Sequence, residues 1–361
     1  MNKKFIYIIF LFFIVIKSFG QKTEKFIDSI RVLHKIPEIS YAVINQNQIL
    51  EIASLGKHSV NLPDSATLND RFHLGSNTKA MTAFLIAKYV EKGYLRWNTK
   101  FFDLFPNWKK WSRKEYYNIT LEELLSHRAK IQPFQGFEDP KIPNFKGNSQ
   151  QKRQKFGQFV LTLEPVKMSD KETFVYSNAG YTLASLMVEK VTGKSWEKLV
   201  DQTFNKDLKL NVGIHLPDNL NYKETWGHSD ENGTLIPISS KGLNYLEFTE
   251  PAGDINMKLT DYIKFIQLNL NGLLGKDNYL KASTYQYLHH HFEGYSLGWY
   301  NITEKNKVWS NHSGTASTYY TNVHINKTDS ICYIVFTNSF NENTTNGVRL
   351  IMRKLKENYG K

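Results

Sequence analysis

The sequence predicts an α/β protein in which a mainly antiparallel sheet is flanked by helices and carries an inserted helical segment. Three observations predict it. Strand-like runs lie at both ends of the chain, up to residue 55 and again after 295. The segment from about 100 to 250 is instead a set of helical runs joined by irregular stretches containing Pro133, Pro140, Pro143 and Pro165. Helical runs also precede, separate and follow the strands, which places helices on the faces of the sheet.

The first twenty residues stand apart from this fold. Lys3 and Lys4 precede an unbroken apolar run, Phe5 to Ile16, and the small residues Ser18 and Gly20 follow. That is the pattern of a cleaved export leader, and the run is short against the roughly 20 residues that span a bilayer. The mature chain is expected to start at Gln21, outside the cytoplasm (periplasmic or extracellular). It is expected to form one domain over 21–361, with the helical insertion at about 100–250.

Residues 24–35, with Phe26, Ile27, Ile30, Val32 and Leu33 apolar, read as a short amphipathic helix. Ser40–Ile44 and Ile49–Leu55, split by Asn45–Gln48, read as a hairpin. Ala80 to Val90 is apolar nearly all round, the mark of a buried helix, and Gly93 ends it. Leu121–Leu125, Gln151–Leu163 and Gly180–Val191 read as helices. Another runs through Leu270, with Thr260 as its cap and Asp261 near its positive end. Strands return at Ser296–Ile302, Val308–Trp309, Thr318–Ile325 and Ser330–Asn338, and a helix at Gly347–Leu355 closes the chain.

Composition fits a folded chain with a large core: of 361 residues 41% are hydrophobic and 22% charged, with 23 Phe, 20 Tyr and 7 Trp. The single cysteine, Cys332, excludes an internal disulfide, and its place in the apolar run Ile331–Phe336 makes it a small core residue. The formal charge of +12 falls to +9 when Lys3, Lys4 and Lys17 leave with the leader. The remaining lysines are dispersed among acids and rings, which argues against nucleic acid as a partner. A basic exported protein is drawn instead to anionic envelope surfaces.

Three short segments carry chemistry. Ser76-Asn77-Thr78-Lys79 heads the buried helix, and three residues is nearly one turn, so Ser76 and Lys79 share a face. A serine hydroxyl needs a base, and a lysine amine serves once desolvation lowers its pKa. Tyr176-Ser177-Asn178 precedes the helical run from Ala179. A phenol relays protons when a cation such as Lys79 depresses its pKa, and Asn178 can both donate to a carbonyl and accept from an ammonium. His312-Ser313-Gly314-Thr315 lies between two predicted strands, where glycine allows close approach, a strand edge offers an N–H to an oxyanion, and His312 offers a cation or a hydrogen bond. Singly, these segments read as a helix cap, a buried tyrosine beside a capping Asn, and a hairpin tip.

Together and in this order, they resemble the serine β-lactamase and penicillin-binding-protein superfamily. The nearer likeness is to the class C β-lactamase-related branch of D,D-carboxypeptidases, D-aminopeptidases and esterases, whose middle motif is Tyr-x-Asn. Phe72-His73-Leu74-Gly75, Leu124-Leu125-Ser126-His127, the run from Tyr176 through Gly193, Pro251-Ala252-Gly253-Asp254 and Leu297-Gly298-Trp299 agree with it over roughly residues 25–355. The resemblance implies Ser76 as nucleophile, Lys79 as its activating partner and Tyr176 as general base and later acid. It implies Asn178 as the group holding Lys79 and a substrate amide, and the N–H groups of Ser76 and Thr315 as oxyanion hole. His312 and Gly314 would line the substrate site. No cofactor or metal is implied, and the partner is a small-molecule or peptide substrate, such as cell-wall peptide.

Two departures bear on the substrate. His312 stands where β-lactamases carry lysine, and a mostly neutral imidazole holds a substrate carboxylate less strongly. Lys130 stands where the family usually has glycine, and a positive φ there is strained for lysine, so the loop after His127 is expected to be built differently. These motivate a second reading, a penicillin-binding or cell-wall-sensing protein with weak turnover. The run His289-His290-His291 lacks ligand spacing and is expected to be a solvated loop.

Overall fold

The computed structural model describes residues 22–136, 139–220, 224–241, 247–316 and 318–360; the expected leader over residues 1–20 lies outside them. Helix α1 (22–33) leads to the hairpin β1 (Glu38–Asn45) and β2 (Ile49–Gly56). Asn45 closes that hairpin, its Oδ1 accepting the N–H groups of Asn47 and Gln48 at 2.9 Å each. Strand β3 (Arg71–His73) passes through one 3₁₀ turn, Gly75–Asn77, into α2 (Thr78–Glu91). Helices α3 (Phe101–Leu104), α4 (Leu121–Leu125), α5 (Ser149–Val160), α6 (Asn178–Thr192) and α7 (Trp196–Val200) follow. Next come strands β4 (Val212–Ile214), β5 (Gly227–Glu231) and β6 (Thr234–Ile238), the single turn α8 (Glu250–Gly253) and β7 (Ile255–Lys258). The chain ends with α9 (Leu259–Leu273), α10 (Ala282–His290), β8 (Gly294–Tyr295), β9 (Tyr300–Glu304), β10 (Lys307–Thr315), β11 (Tyr320–Asn326), β12 (Ile331–Thr337) and α11 (Glu342–Tyr359).

The main sheet is antiparallel throughout, in the order β2-β1-β12-β11-β10-β9-β8. Its first and last strands in sequence pair at its middle, with Ile39 opposite Thr337. Side chains alternate between its faces. Tyr41, Val43, Tyr333 and Val335 pack under α1 and α11, against Ile27, Ile30, Ile351 and Leu355. Ala42, Ile44, Val323, Ile325, Ile334 and Phe336 belong to the larger core shared with α2, α6 and α9. Because α2 runs through that core, Met81, Ala83, Phe84, Leu85, Ile86 and Ala87 are all buried, as a helix without a polar face requires. A smaller sheet, β3-β7-β4, sets the start of α2 beside α8. Arg153 of α5, buried completely, ties α6, α7 and α8 together through Glu189 at 2.9 Å, Glu197 at 2.8 Å and Glu250 at 3.0 Å.

Several expectations need correction. Thr260 does not cap α9; the helix begins at Leu259 without a side-chain cap, while Asp261 pairs with Lys264 at 2.9 Å. Ser296–Ile302 is not one strand. Gly298, at φ +90°, turns the chain between β8 and β9 and packs so close to α2 that a Cβ would lie 2.7 Å from Ala80 Cα. The histidine run is not a solvated loop: it ends α10, with His289 buried, stacked on Trp299 at 4.4 Å and bonded through Nε2 to Asn269 Oδ1 at 3.0 Å. Among the described residues no group of His, Cys, Asp and Glu is arranged to hold a metal.

Candidate active site

The Ser76 turn is fixed from several sides. Leu74 N–H donates to Ile255 O at 2.8 Å, Gly75 N–H to His73 Nδ1 at 3.2 Å, and Asn77 Nδ2 to Thr321 Oγ1 at 2.7 Å. Strand β10 lies against it with no room to spare. A Cβ on Gly314 would sit 2.0 Å from Leu74 O and 2.6 Å from Ser76 N, and one on Gly75 (φ +52°) 2.3 Å from Thr315 N. Both glycines are therefore required for the turn and the strand to meet. The cap positions of the 3₁₀ turn and of α2 are Leu74 and Asn77, so Ser76 caps neither, and its hydroxyl lies beside Lys79 Nζ.

Lys79 lies one turn on, with no exposed surface. Its Nζ is 3.2 Å from Ser76 Oγ, 2.7 Å from Asn178 Oδ1 and 2.8 Å from Ala252 O. Burial pushes its pKa well below the usual lysine value. In its neutral form, which burial favours, the amine has two N–H donors and one lone pair. Asn178 Oδ1 and Ala252 O can only accept, so they take both donors, and the lone pair is left for the Ser76 hydroxyl.

Tyr176 and Asn178 come from the segment entering α6. Ser177, not Asn178, caps that helix, its Oγ accepting Gly180 N–H at 3.0 Å. Asn178 is thereby free to face Lys79, with its Nδ2 donating to Phe134 O at 2.8 Å. The Tyr176 ring covers Lys79, with Nζ 4.6 Å from its centroid. Burial drives the phenol well above its usual pKa, and a hydrogen bond with Ser76 only partly opposes this. The expected depression by Lys79 does not occur: burial is the largest influence on the phenol and raises it.

The His312–Thr315 segment is not a hairpin tip; it forms the end of β10, paired with β11 from Thr315 opposite Tyr320. A cleft of about 410 Å³ opens over Ser76, lined by Gln135, Tyr176, Tyr300, His312, Ser313, Gly314, Thr315, Tyr320, Phe340 and Thr345. His312 is buried, and desolvation, joined by Lys79 when that lysine is protonated, pushes its pKa down to about 3. Its Nδ1–H donates to Ser313 O at 2.7 Å and its Nε2 accepts from Tyr295 Oη at 3.2 Å. His312 is neutral, and both of its ring nitrogens are engaged by the protein.

Comparison with known protein families matches residues 24–355 to the family described as Beta-lactamase. The chain belongs to the Beta-lactamase family. Among relatives, it is 25% identical over 266 residues to Penicillin-binding protein 4 of Amycolatopsis lactamdurans, covering 70% of this chain. The match spans 64% of that relative's length. A penicillin-binding protein homologue from Pyrococcus abyssi superposes with a TM-score of 0.71 at 20% identity, covering 88% of this chain and 73% of the other. D-amino acid amidase from Ochrobactrum anthropi SV3 superposes with a TM-score of 0.72 at 16% identity, covering 93% and 99%. These likenesses in structure show a shared fold.

In this member of the Beta-lactamase family all seven residues singled out from the sequence gather at one place. Ser76, Tyr176, His312, Gly314 and Thr315 line the cleft, with Lys79 and Asn178 behind Ser76. Lys130 does not rebuild its loop as expected; it adopts the left-handed backbone itself, at φ +54°, with His127 at +64° and Phe134 at +50°. Sequence reasoning missed the wall around Tyr176. His127 is buried 4.3 Å from the Tyr176 ring and 4.5 Å from that of Tyr295, its Nδ1 accepting Ser177 N–H at 3.1 Å. Tyr300 stacks parallel to Tyr176 at 6.4 Å. The Leu124–His127 run was the available signal for His127; Tyr295 and Tyr300 carry none, since tyrosines near strands usually read as core.

Proposed function

We propose that this protein is an exported serine hydrolase. It cleaves esters or D-amino-acid amides that have no carboxylate beside the scissile bond, through an acyl-enzyme on Ser76. One observation carries the reading: Ser76 Oγ lies 3.2 Å from a completely buried lysine whose other two contacts are both acceptors. In this scheme the Ser76 proton passes to the Lys79 lone pair as Oγ attacks the carbonyl carbon. The N–H groups of Ser76 and Thr315 face the oxyanion, and β10 seats the second against the first. The phenol of Tyr176 gives its proton to the leaving group, and the ammonium of Lys79 returns one to the phenolate. Water then attacks the acyl carbon, its proton is taken up by Lys79, and the Ser76 alkoxide regains a proton as the product acid leaves. Lys79 takes the first proton because a phenol held well above its usual pKa starts protonated.

The substrate class rests on the cleft. Among its described lining residues none is Lys, Arg, Asp or Glu, and His312 is neutral. A carboxylate next to the scissile bond, as in a β-lactam or a peptide C-terminus, would lose its hydration without a cation in return. Tyr176, Tyr300, Tyr320 and Phe340 offer rings to an apolar or aromatic substituent. The fold shared with a D-amino acid amidase supports the amide arm. The leader-like start supports export, and the basic balance supports loose attraction to an anionic envelope. A screen of p-nitrophenyl esters, D-alanyl amides, D-alanyl peptides with free C-termini and nitrocefin tests it. Esters or D-amides are expected to turn over faster than the last two; efficient nitrocefin hydrolysis, or acylation by penicillin without any turnover, would overturn it, the latter in favour of a sensor.

A further inference from the structure

The mechanism above leaves one buried ionisable cluster beside the nucleophile unused. Asp254 is 5% exposed and directly follows α8, the turn whose Ala252 carbonyl holds Lys79. Its two carboxylate oxygens are both committed: Oδ1 lies 2.9 Å from His73 Nε2 and Oδ2 lies 2.7 Å from His215 Nδ1. His73 is 1% exposed, and its other nitrogen, Nδ1, accepts the Gly75 N–H at 3.2 Å. A ring nitrogen that accepts carries no proton, so His73 holds its proton on Nε2, pointed at Asp254. The result is a continuous hydrogen-bonded chain from Asp254 through His73 to the peptide N–H immediately before Ser76.

That chain matters because Gly75 has no slack. It holds a positive φ, and its α-carbon is wedged against the backbone of Thr315. Any rotation of the Gly75 peptide moves both Ser76 Oγ and the Ser76 N–H. On its other side the Asp254 segment reaches the same helix start twice more, through Leu74 N–H to Ile255 O at 2.8 Å and Ile255 N–H to Thr78 Oγ1 at 3.1 Å.

Resting on the reading of Ser76 and Lys79 as the reactive pair, we propose that Asp254 is a positioning residue for it. Through His73 its carboxylate orients the Leu74–Gly75 peptide, one peptide before Ser76, while its own turn presents the Ala252 carbonyl to Lys79. One buried carboxylate thus sets the distance between nucleophile and base without touching either.

The test measures kcat and KM on p-nitrophenyl acetate, and the rate of fluorophosphonate labelling, for the full mature chain. Asp254→Ala and His73→Phe are each expected to lower kcat and the labelling rate on the order of 10²-fold, with KM little changed, because a small misplacement costs that much. The double variant is expected to lose no more than the worse single one, since the two act in series. Asp254→Asn keeps an acceptor for His73 Nε2–H and is expected to recover most of the activity, which a loss through misfolding would not show. Wild-type rates in His73→Phe, additive losses in the double variant, or Asp254→Asn as slow as Asp254→Ala would overturn the proposal. Failure of the wild type to label at Ser76 would instead overturn the reading of the reactive pair itself.

Discussion

Lys79 Nζ lies 2.7 Å from Asn178 Oδ1, and this contact decides which way the lysine lone pair points. With a second acceptor at Ala252 O, 2.8 Å away, the amine has one direction left, towards Ser76. Among the described residues no carboxylate contributes to the state of Lys79; burial lowers its pKa.

Asn178→Asp puts a negative charge in that contact and stabilises the ammonium. The lysine pKa then rises, so the rising limb of the acylation rate against pH moves to higher pH. At pH 7 the rate falls by about tenfold or more, one pKa unit being a factor of ten. Stopped-flow acylation between pH 5 and 10 measures it. His312 adds no inflection near 6.5 in either protein, because it stays neutral down to about pH 3.

Tyr176→Phe keeps the ring over Lys79 and removes only the hydroxyl. Amide hydrolysis is expected to fall about 10²–10⁴-fold, the usual contribution of a general acid. p-Nitrophenyl esters lose far less, because p-nitrophenolate leaves without a proton. Comparing kcat/KM for one acyl group as amide and as ester separates proton delivery from packing.

Much of this was legible because it is local. The Ser76–Lys79 spacing is one helical turn, and Tyr176 and Asn178 are two residues apart in one segment. What escaped was non-local or without residue identity. The Ala252 carbonyl that takes a Lys79 donor is backbone, and any residue supplies one. The neutrality of His312 depends on Tyr295 and on burial, which no single segment encodes. His289–His291 misled because three polar letters suggest a loop, whereas Trp299 and Asn269, brought in from other elements, give His289 a stacking face and a hydrogen bond.

Lys130 occupies a left-handed position at φ +54° and is exposed. Lysine is strained there by roughly 1–2 kcal/mol, and glycine returns part of that as unfolded-chain entropy. Lys130→Gly is expected to stabilise the protein by roughly 0.5–1 kcal/mol in urea unfolding.

His58, just after β2, bridges Asp70 at 2.9 Å and Asp64 at 2.5 Å, and its pKa rises to about 9, chiefly through the Asp70 hydrogen bond. A raised histidine stabilises the fold fully below its ordinary value of 6.5, and that contribution fades as pH climbs through about 9. The urea midpoint is expected to fall over this window in wild type and to fall less in His58→Gln.

The most direct test is intact and peptide mass spectrometry of the protein quenched during turnover of a p-nitrophenyl ester. The account predicts one acyl adduct on Ser76, present in wild type, absent in Ser76→Ala and formed far more slowly in Lys79→Ala. An adduct on another residue, or equal labelling in Ser76→Ala, would contradict it.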